Sequence, residues 1–228
     1  MSAMSVIMIG GSGEVGGAVV REMIKSDVCS QLTLIGRRSL PDLDGESKVK
    51  QIVVDMSDDD FEELVKDKAK GYDVAVSCLG IGSGTYGMSE EQMMAIEVDL
   101  IGAFARGCKA AGIEIFELLT AVGIKESWTE SNIKGFRVMG KKLKTVIDTG
   151  FEKLAVFKPG MIVGNAHTPS WIAFFTGLLP DSAGLSNIHQ KELAIAFVTH
   201  LEKRVESQRE AVVSYGNKEM KELSCCAS

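Results

Sequence analysis

A doubly wound α/β protein, with a parallel sheet covered by helices on both faces, is what this sequence predicts. Short apolar runs alternate with amphipathic stretches of helical length over the first 165 residues. The first run leads straight into a glycine-rich turn and then a helical pattern. The 228 residues, 45% of them hydrophobic, suffice for one compact core and exclude a disordered chain.

In chain order, the apolar runs Val6–Ile9, Gln31–Ile35, Lys50–Val54, Val74–Ser77, Ile115–Leu119 and Leu154–Phe157 read as strands. Between them, Gly16–Lys25, Asp59–Lys68, Glu90–Ala111 and Phe136–Asp148 carry apolar residues at helical spacing. Strands separated by helices need crossover connections, which are right-handed by strong preference and generate a parallel sheet. The acidic start at Ser57–Asp60, with Glu62 and Glu63, reads as a capped, solvated first turn.

Beyond Pro159-Gly160 the pattern loosens. Thr168–Leu179 is apolar and aromatic, Pro180–Ser186 reads as a turn, Ile188–Arg204 as a helix, and Ala211–Tyr215 as a late strand before a short terminal helix. Residues 161–228 are too few for a domain of their own, so residues 1–228 read as a single domain in which 161–228 contribute a small cap over the strand ends.

Twenty-five Lys and Arg against 31 Asp and Glu give a formal charge of −6, which argues against electrostatic binding to nucleic acid or an anionic membrane. Neither an apolar run of membrane-spanning length nor a basic, cleavable N-terminal segment is visible, so a soluble, cytoplasmic protein is expected. Five cysteines, Cys29, Cys78, Cys108, Cys225 and Cys226, show no metal-ligand spacing and read as reduced thiols; no metal is expected. Three His and three Tyr make the usual proton-transfer residues scarce.

The most informative segment is Gly10-Gly11-Ser12-Gly13-Glu14-Val15-Gly16, directly after the first strand. It satisfies both G-x-x-G-x-x-G and G-x-G-x-x-G. Glycine there permits a tight turn, removes the Cβ that would block a pyrophosphate, and leaves a helix N-terminus facing the phosphates. An acidic residue at the end of the second strand would hold an NAD ribose. This chain has Ile35-Gly36-Arg37-Arg38 instead, and two guanidiniums suit a 2′-phosphate, so NADP(H) is expected over NAD(H).

With the glycine turn, Leu34-Ile35-Gly36-Arg37-Arg38, Val54-Asp55, Ser77-Cys78-Leu79-Gly80, Val98-Asp99-Leu100 and Phe157-Lys158-Pro159-Gly160, the sequence resembles the atypical short-chain dehydrogenase/reductases, and within them the Tat-interacting-protein branch. The resemblance implies that Gly10, Ser12, Gly13, Glu14 and Val15 cradle the pyrophosphate while Arg37 and Arg38 hold the 2′-phosphate. It also implies that Asp55 and Met56 lie beside adenine, and that Cys78, Leu79 and Gly80 border the adenosine ribose. Leu119 and Thr120 would close near the nicotinamide, with Pro159, Gly160, Met161 and Ile162 flanking its carboxamide.

Relatives that reduce carbonyls use a Tyr proton donor, a Lys four residues later on the same helix face, and a Ser or Thr to orient the substrate oxygen. Aligned through Ser131-Asn132 and Gly140, those two positions are Gly135 and Met139 here, and no Tyr-x-x-x-Lys exists anywhere in the chain. Thr120 survives as an orienting residue, followed by Ala121. Lys141 and Lys142, beyond the expected lysine, are candidates to reach the ribose. Tyr86, in the glycine-rich Gly80–Gly87 loop, is the substitute donor to weigh, while His167 and His189 read as surface or core histidines.

Three functions stay open on these residues. One is an NADP(H)-binding protein with a degenerate catalytic site and a redox-linked regulatory or binding role, with a protein partner or a homodimer. The alternative is an active NADP-dependent oxidoreductase on a small carbonyl or quinone, using a non-standard donor; the apolar Trp171-Ile172-Ala173-Phe174-Phe175 suggests an apolar ligand. The third is a structural module whose turn binds nothing.

Overall fold

A computed structural model describes residues 3–82, 87–164 and 186–226. Nine strands and seven helices are described. In chain order they are β1 (Met4–Ile9), α1 (Glu14–Lys25), β2 (Cys29–Gly36), β3 (Val49–Val53), α2 (Phe61–Lys68) and β4 (Val74–Ser77), then α3 (Glu90–Met94) and α4 (Ile101–Ala110). There follow β5 (Ile115–Leu119), α5 (Lys134–Asp148), β6 (Lys153–Phe157), β7 (Met161–Val163), β8 (Asn187–His189), α6 (Gln190–Lys203), β9 (Val212–Tyr215) and α7 (Asn217–Cys225). The expected stretches Thr168–Leu179 and 180–185, with Tyr86 and His167, lie outside the described residues.

Seven strands form one sheet in the order β3-β2-β1-β4-β5-β6-β9, and every pairing in it is parallel. The order reverses between β1 and β4, the point at which a ligand crevice opens in such sheets. Because the central strands β1, β4, β5 and β6 are buried on both faces, their sequences are largely apolar rather than alternating. Val6, Met8, Val74, Val76 and Phe157 pack toward α1, α6 and α7 on one face. Ile7, Ile9, Ala75, Phe116 and Val156 pack toward α2, α4 and α5 on the other. β9 continues the main sheet beside β6, while β7 and β8 form a separate two-stranded parallel ladder.

Two expected elements differ in instructive ways. The helix anticipated over Glu90–Ala111 is α3 and α4 joined by a π-helical segment, Ala95–Leu100. One widened turn leaves apolar periodicity nearly intact, so spacing does not register it. Ile188, anticipated as helical, is a strand residue paired with Ile162, and α6 begins only after His189, whose ring accepts from the Lys191 amide. The switch is a tertiary effect, because β8 has only β7 as a partner.

Candidate functional site

β1 ends against the turn at Gly10, whose φ is +84°. A Cβ there would overlap the backbone of Cys78 and Leu79 at the end of β4, and a Cβ on Gly16 would overlap the Gly10 carbonyl. The Gly13 amide donates to the Gly10 carbonyl at 3.1 Å, closing the turn. Helix α1 starts with Gly13 as its N-cap and no side-chain capping bond. The positive end of its dipole faces the turn, the arrangement that binds anions. Ser12 and Glu14 line the mouth of this turn, and the Glu14 carbonyl accepts from Gln190 of α6.

A crevice runs from this turn along the strand ends, lined by Gly10, Ser12, Arg37, Arg38, Met56 and Leu79. Both arginines are exposed at the end of β2. Asp55 lies in the adjoining groove with Arg37, Met56 and Leu79. Its carboxylate accepts from the Ser57 hydroxyl at 2.6 Å and the Ser57 amide at 3.0 Å. Those bonds first, and then the charge of Arg37, hold it below the usual carboxylate range, so it stays ionised beside the guanidinium.

The ends of β4, β5 and β6 continue the wall. Burial first, and then the charge of Glu117, push the Cys78 thiol far above its ordinary range, so it is an apolar wall residue rather than a thiolate. Thr120 follows Leu119, buried, with its amide on the Phe157 carbonyl at 2.9 Å; its Oγ1 has no hydrogen-bond partner among the described residues. The Val122 amide donates to the Pro159 carbonyl at 2.8 Å, and the Gly160 amide to Asn217 Oδ1 at 2.9 Å. Met161 and Ile162 then enter the β7–β8 ladder. Partial burial lowers Lys158 from the usual lysine range.

Helix α5 carries Gly135 and Met139 at the positions where the family resemblance implies Tyr and Lys. Gly140 lets it close on Trp128, where a Cβ would lie 2.8 Å from the Trp128 carbonyl carbon. Arg137 anchors it to Glu90 of α3, with Nε 2.8 Å from Oε1, and to the Ser131 carbonyl. A Cβ on half-buried Gly135 would meet nothing within 4 Å, and Ile133 and Phe136 beside it are exposed. Lys142, a candidate to reach the ribose, instead turns inward: its side chain is 2% exposed and its Nζ lies 3.0 Å from Glu97 Oε2. Sequence reasoning missed Glu97, as it missed the buried Glu117–His200 pair, because the partners are 45 and 83 residues apart. Among the described residues no group of His, Cys, Asp and Glu is placed to hold a metal ion, and no helix is long and apolar enough to cross a membrane.

A parallel sheet with its glycine turn at the strand reversal defines a Rossmann protein of the NAD(P)-binding, oxidoreductase-like kind. No family model matches the chain. The rat protein HTATIP2 is 32% identical over 189 residues, covering 80% of this chain and 74% of its own length. The mitochondrial protein FMP52-2 of Scheffersomyces stipitis is 29% identical over 163 residues, 72% of this chain and 68% of its own. Among solved structures, the oxidoreductase ylbE from Lactococcus lactis shares the fold with a TM-score of 0.68 at 17% identity, covering 98% of this chain and 96% of its own. The UDP-glucuronic acid 4-epimerase of Bacillus cereus, solved in complex with NAD, does so with a TM-score of 0.67 at 14% identity over 93% of this chain and 78% of its own. The chain belongs to the atypical short-chain dehydrogenase/reductase family, in the HTATIP2 branch. The expected cytoplasmic location is not upheld: the similar FMP52 proteins of several fungi are named mitochondrial. The expectation rested on the lack of a visible membrane-spanning run or secretory leader, and neither lack specifies a compartment.

Proposed function

We propose that this protein binds NADP(H) in the crevice at the β1–β4 reversal and acts as a redox-linked regulatory or binding protein rather than a proficient reductase. The observation that carries the binding half is the cradle: Gly10 and Gly16 have no room for a Cβ, α1 opens on the glycine cap Gly13 at the turn, and Arg37 and Arg38 follow β2 where a carboxylate would favour NAD. Gly10, Ser12, Gly13, Glu14, Val15 and Gly16 would hold the pyrophosphate, Arg37 and Arg38 the 2′-phosphate, and Asp55 and Met56 the adenine side. Cys78, Leu79 and Gly80 would border the ribose, while Leu119, Thr120 and residues 159–162 would flank the nicotinamide. The bound dinucleotide would supply or accept hydride. Against turnover stand Gly135 and Met139, which offer neither a proton donor nor an ammonium.

Titration with NADPH and NADH, followed by nicotinamide fluorescence, tests the reading. Saturable binding with NADPH preferred is expected; no binding of either nucleotide overturns it and favours the structural module.

A second reading, an active oxidoreductase on a small apolar carbonyl or quinone, is favoured by the unpartnered Thr120 hydroxyl and by the exposed Ile133 and Phe136 beside the open Gly135 position. Thr120 would orient a substrate oxygen, and Tyr86 is the donor to test. NADPH consumption over a carbonyl and quinone panel decides: turnover lost in Tyr86→Phe and Thr120→Val supports this reading, and no consumption rejects it.

A further inference from the structure

The wall of the crevice is braced from behind by a buried ion pair that the dinucleotide reading leaves unexplained. Glu97 lies in the π-helical turn between α3 and α4, and Lys142 is just past the middle of α5; their side chains are 6% and 2% exposed. Lys142 Nζ donates to Glu97 Oε2 at 3.0 Å and to the Leu79 carbonyl at 3.2 Å. Glu97 Oε1 accepts from the Ile81 amide at 2.8 Å and sits 3.4 Å from where a Gly80 Cβ would be. The pair thus grips both sides of Gly80, in the segment that follows β4.

This segment also meets the glycine turn. The Leu79 amide is one of the atoms that a Cβ on Gly10 would strike, and Leu79 lines both the crevice and the groove beside it. Taking two charges out of water is costly, and well-packed apolar side chains would fill the same space without that cost. What apolar groups cannot supply is a donor aimed at the Leu79 carbonyl together with an acceptor aimed at the Ile81 amide. The charged pair therefore sets a backbone position, which matters most where that backbone meets a ligand.

We propose that Glu97 and Lys142 are positioning residues for the dinucleotide, fixing Leu79–Ile81 as the surface against which it lies. The proposal rests on the NADP(H) reading above. Lys142 stands three residues after Met139, on the neighbouring turn of α5, so this chain has its helix ammonium bound to protein rather than open to the crevice.

The test compares the wild-type protein, the double variant Glu97→Gln/Lys142→Met and the control Glu117→Gln. The double variant removes both buried charges at once, while the glutamine amide oxygen at position 97 still accepts from the Ile81 amide, so no lone charge threatens the fold. The control removes a buried carboxylate on the opposite face of the sheet. Folding is checked by thermal melting, binding by NADPH titration, and the bound nicotinamide by its emission maximum and intensity. Positioning predicts an NADPH Kd weakened about tenfold with altered bound emission in the double variant, a difference of one or two directed hydrogen bonds, and wild-type values in the control. A folded double variant with wild-type Kd and emission overturns the proposal, and so does an equal loss in the control. Wild-type protein that binds neither nucleotide defeats the dinucleotide reading itself, a result separable from the other two.

Discussion

Two buried carboxylates, Glu97 and Glu117, are each paired with a base, and they sit on opposite faces of one sheet. Glu97 meets Lys142 of α5 and passes its remaining oxygen to the backbone beside the crevice. Glu117, in the middle of β5, meets His200 of α6 at 2.8 Å with both side chains fully buried. His200 also bonds Gln208 at 3.2 Å and lies edge-on to Phe157 and Tyr215, while Glu117 Oε2 has no hydrogen-bond partner among the described residues. One pair delivers its hydrogen bonds to a surface a ligand can feel; the other is closed inside an aromatic core. A buried charge acts through whatever its spare lone pairs touch, so the first pair bears on binding and the second on stability and protons.

The sharpest way to break this comparison is to remove one partner only. Lys142→Met leaves Glu97 charged and buried, and urea unfolding should show a loss of about 3–5 kcal/mol. The double variant with Glu97→Gln should recover most of that loss; if it does not, the pair's packing outweighs its charge.

The core pair should reveal itself through pH. Burial, opposed by His200, raises the Glu117 carboxyl above its ordinary 4.5. The native state therefore keeps a proton that the unfolded chain has released, and stability falls as pH rises from about 4.5 through the raised value. Replacing Glu117 with Gln should flatten that pH dependence in denaturation measured across about pH 4 to 8. An unchanged slope would place the proton elsewhere.

A smaller stability effect, with a larger functional one, is expected on α5. Because a Cβ at Gly135 meets nothing within 4 Å, Gly135→Tyr should alter stability by no more than about 1 kcal/mol, while Met139→Lys, at a half-buried site packed on the core, should account for the larger part of any loss in the double variant. Together, the two substitutions should raise NADPH-dependent carbonyl reduction above the wild-type level. A folded double variant with no gain in turnover would show that the crevice has drifted beyond the two lost residues. Smallest for the fold is Arg37→Asp at the exposed end of β2, within about 0.5 kcal/mol of wild type in stability. Its effect belongs in the nucleotide titration, as weakened NADPH relative to NADH; indifference to the substitution would remove Arg37 from the 2′-phosphate site.

Much of this was legible in the chain. Val74–Ser77 and Ile115–Leu119 are strands with the bounds their apolar runs suggest. The glycine turn falls between β1 and α1, and the Arg37-Arg38 pair ends β2. The short β7–β8 ladder was not legible, because three residues carry no period, and His189 as a helix cap becomes visible only once β8 ends there. Nor was the π-helical turn that turns Glu97 inward.

By itself the sequence determined what local chemistry determines: periodicity, a turn only glycine can make, the charge at a strand end, and the absence of any Tyr-x-x-x-Lys. Only the tertiary structure decided which charges are buried and what they hold. Lys142 reads, with Lys141, as a lysine that could reach the ribose, and Glu117 as one acid in Phe116-Glu117-Leu118. Each acquires its role from a partner brought from elsewhere in the chain by packing, and the cost of desolvating a charge, which makes that partner obligatory, arises only when the core closes around it.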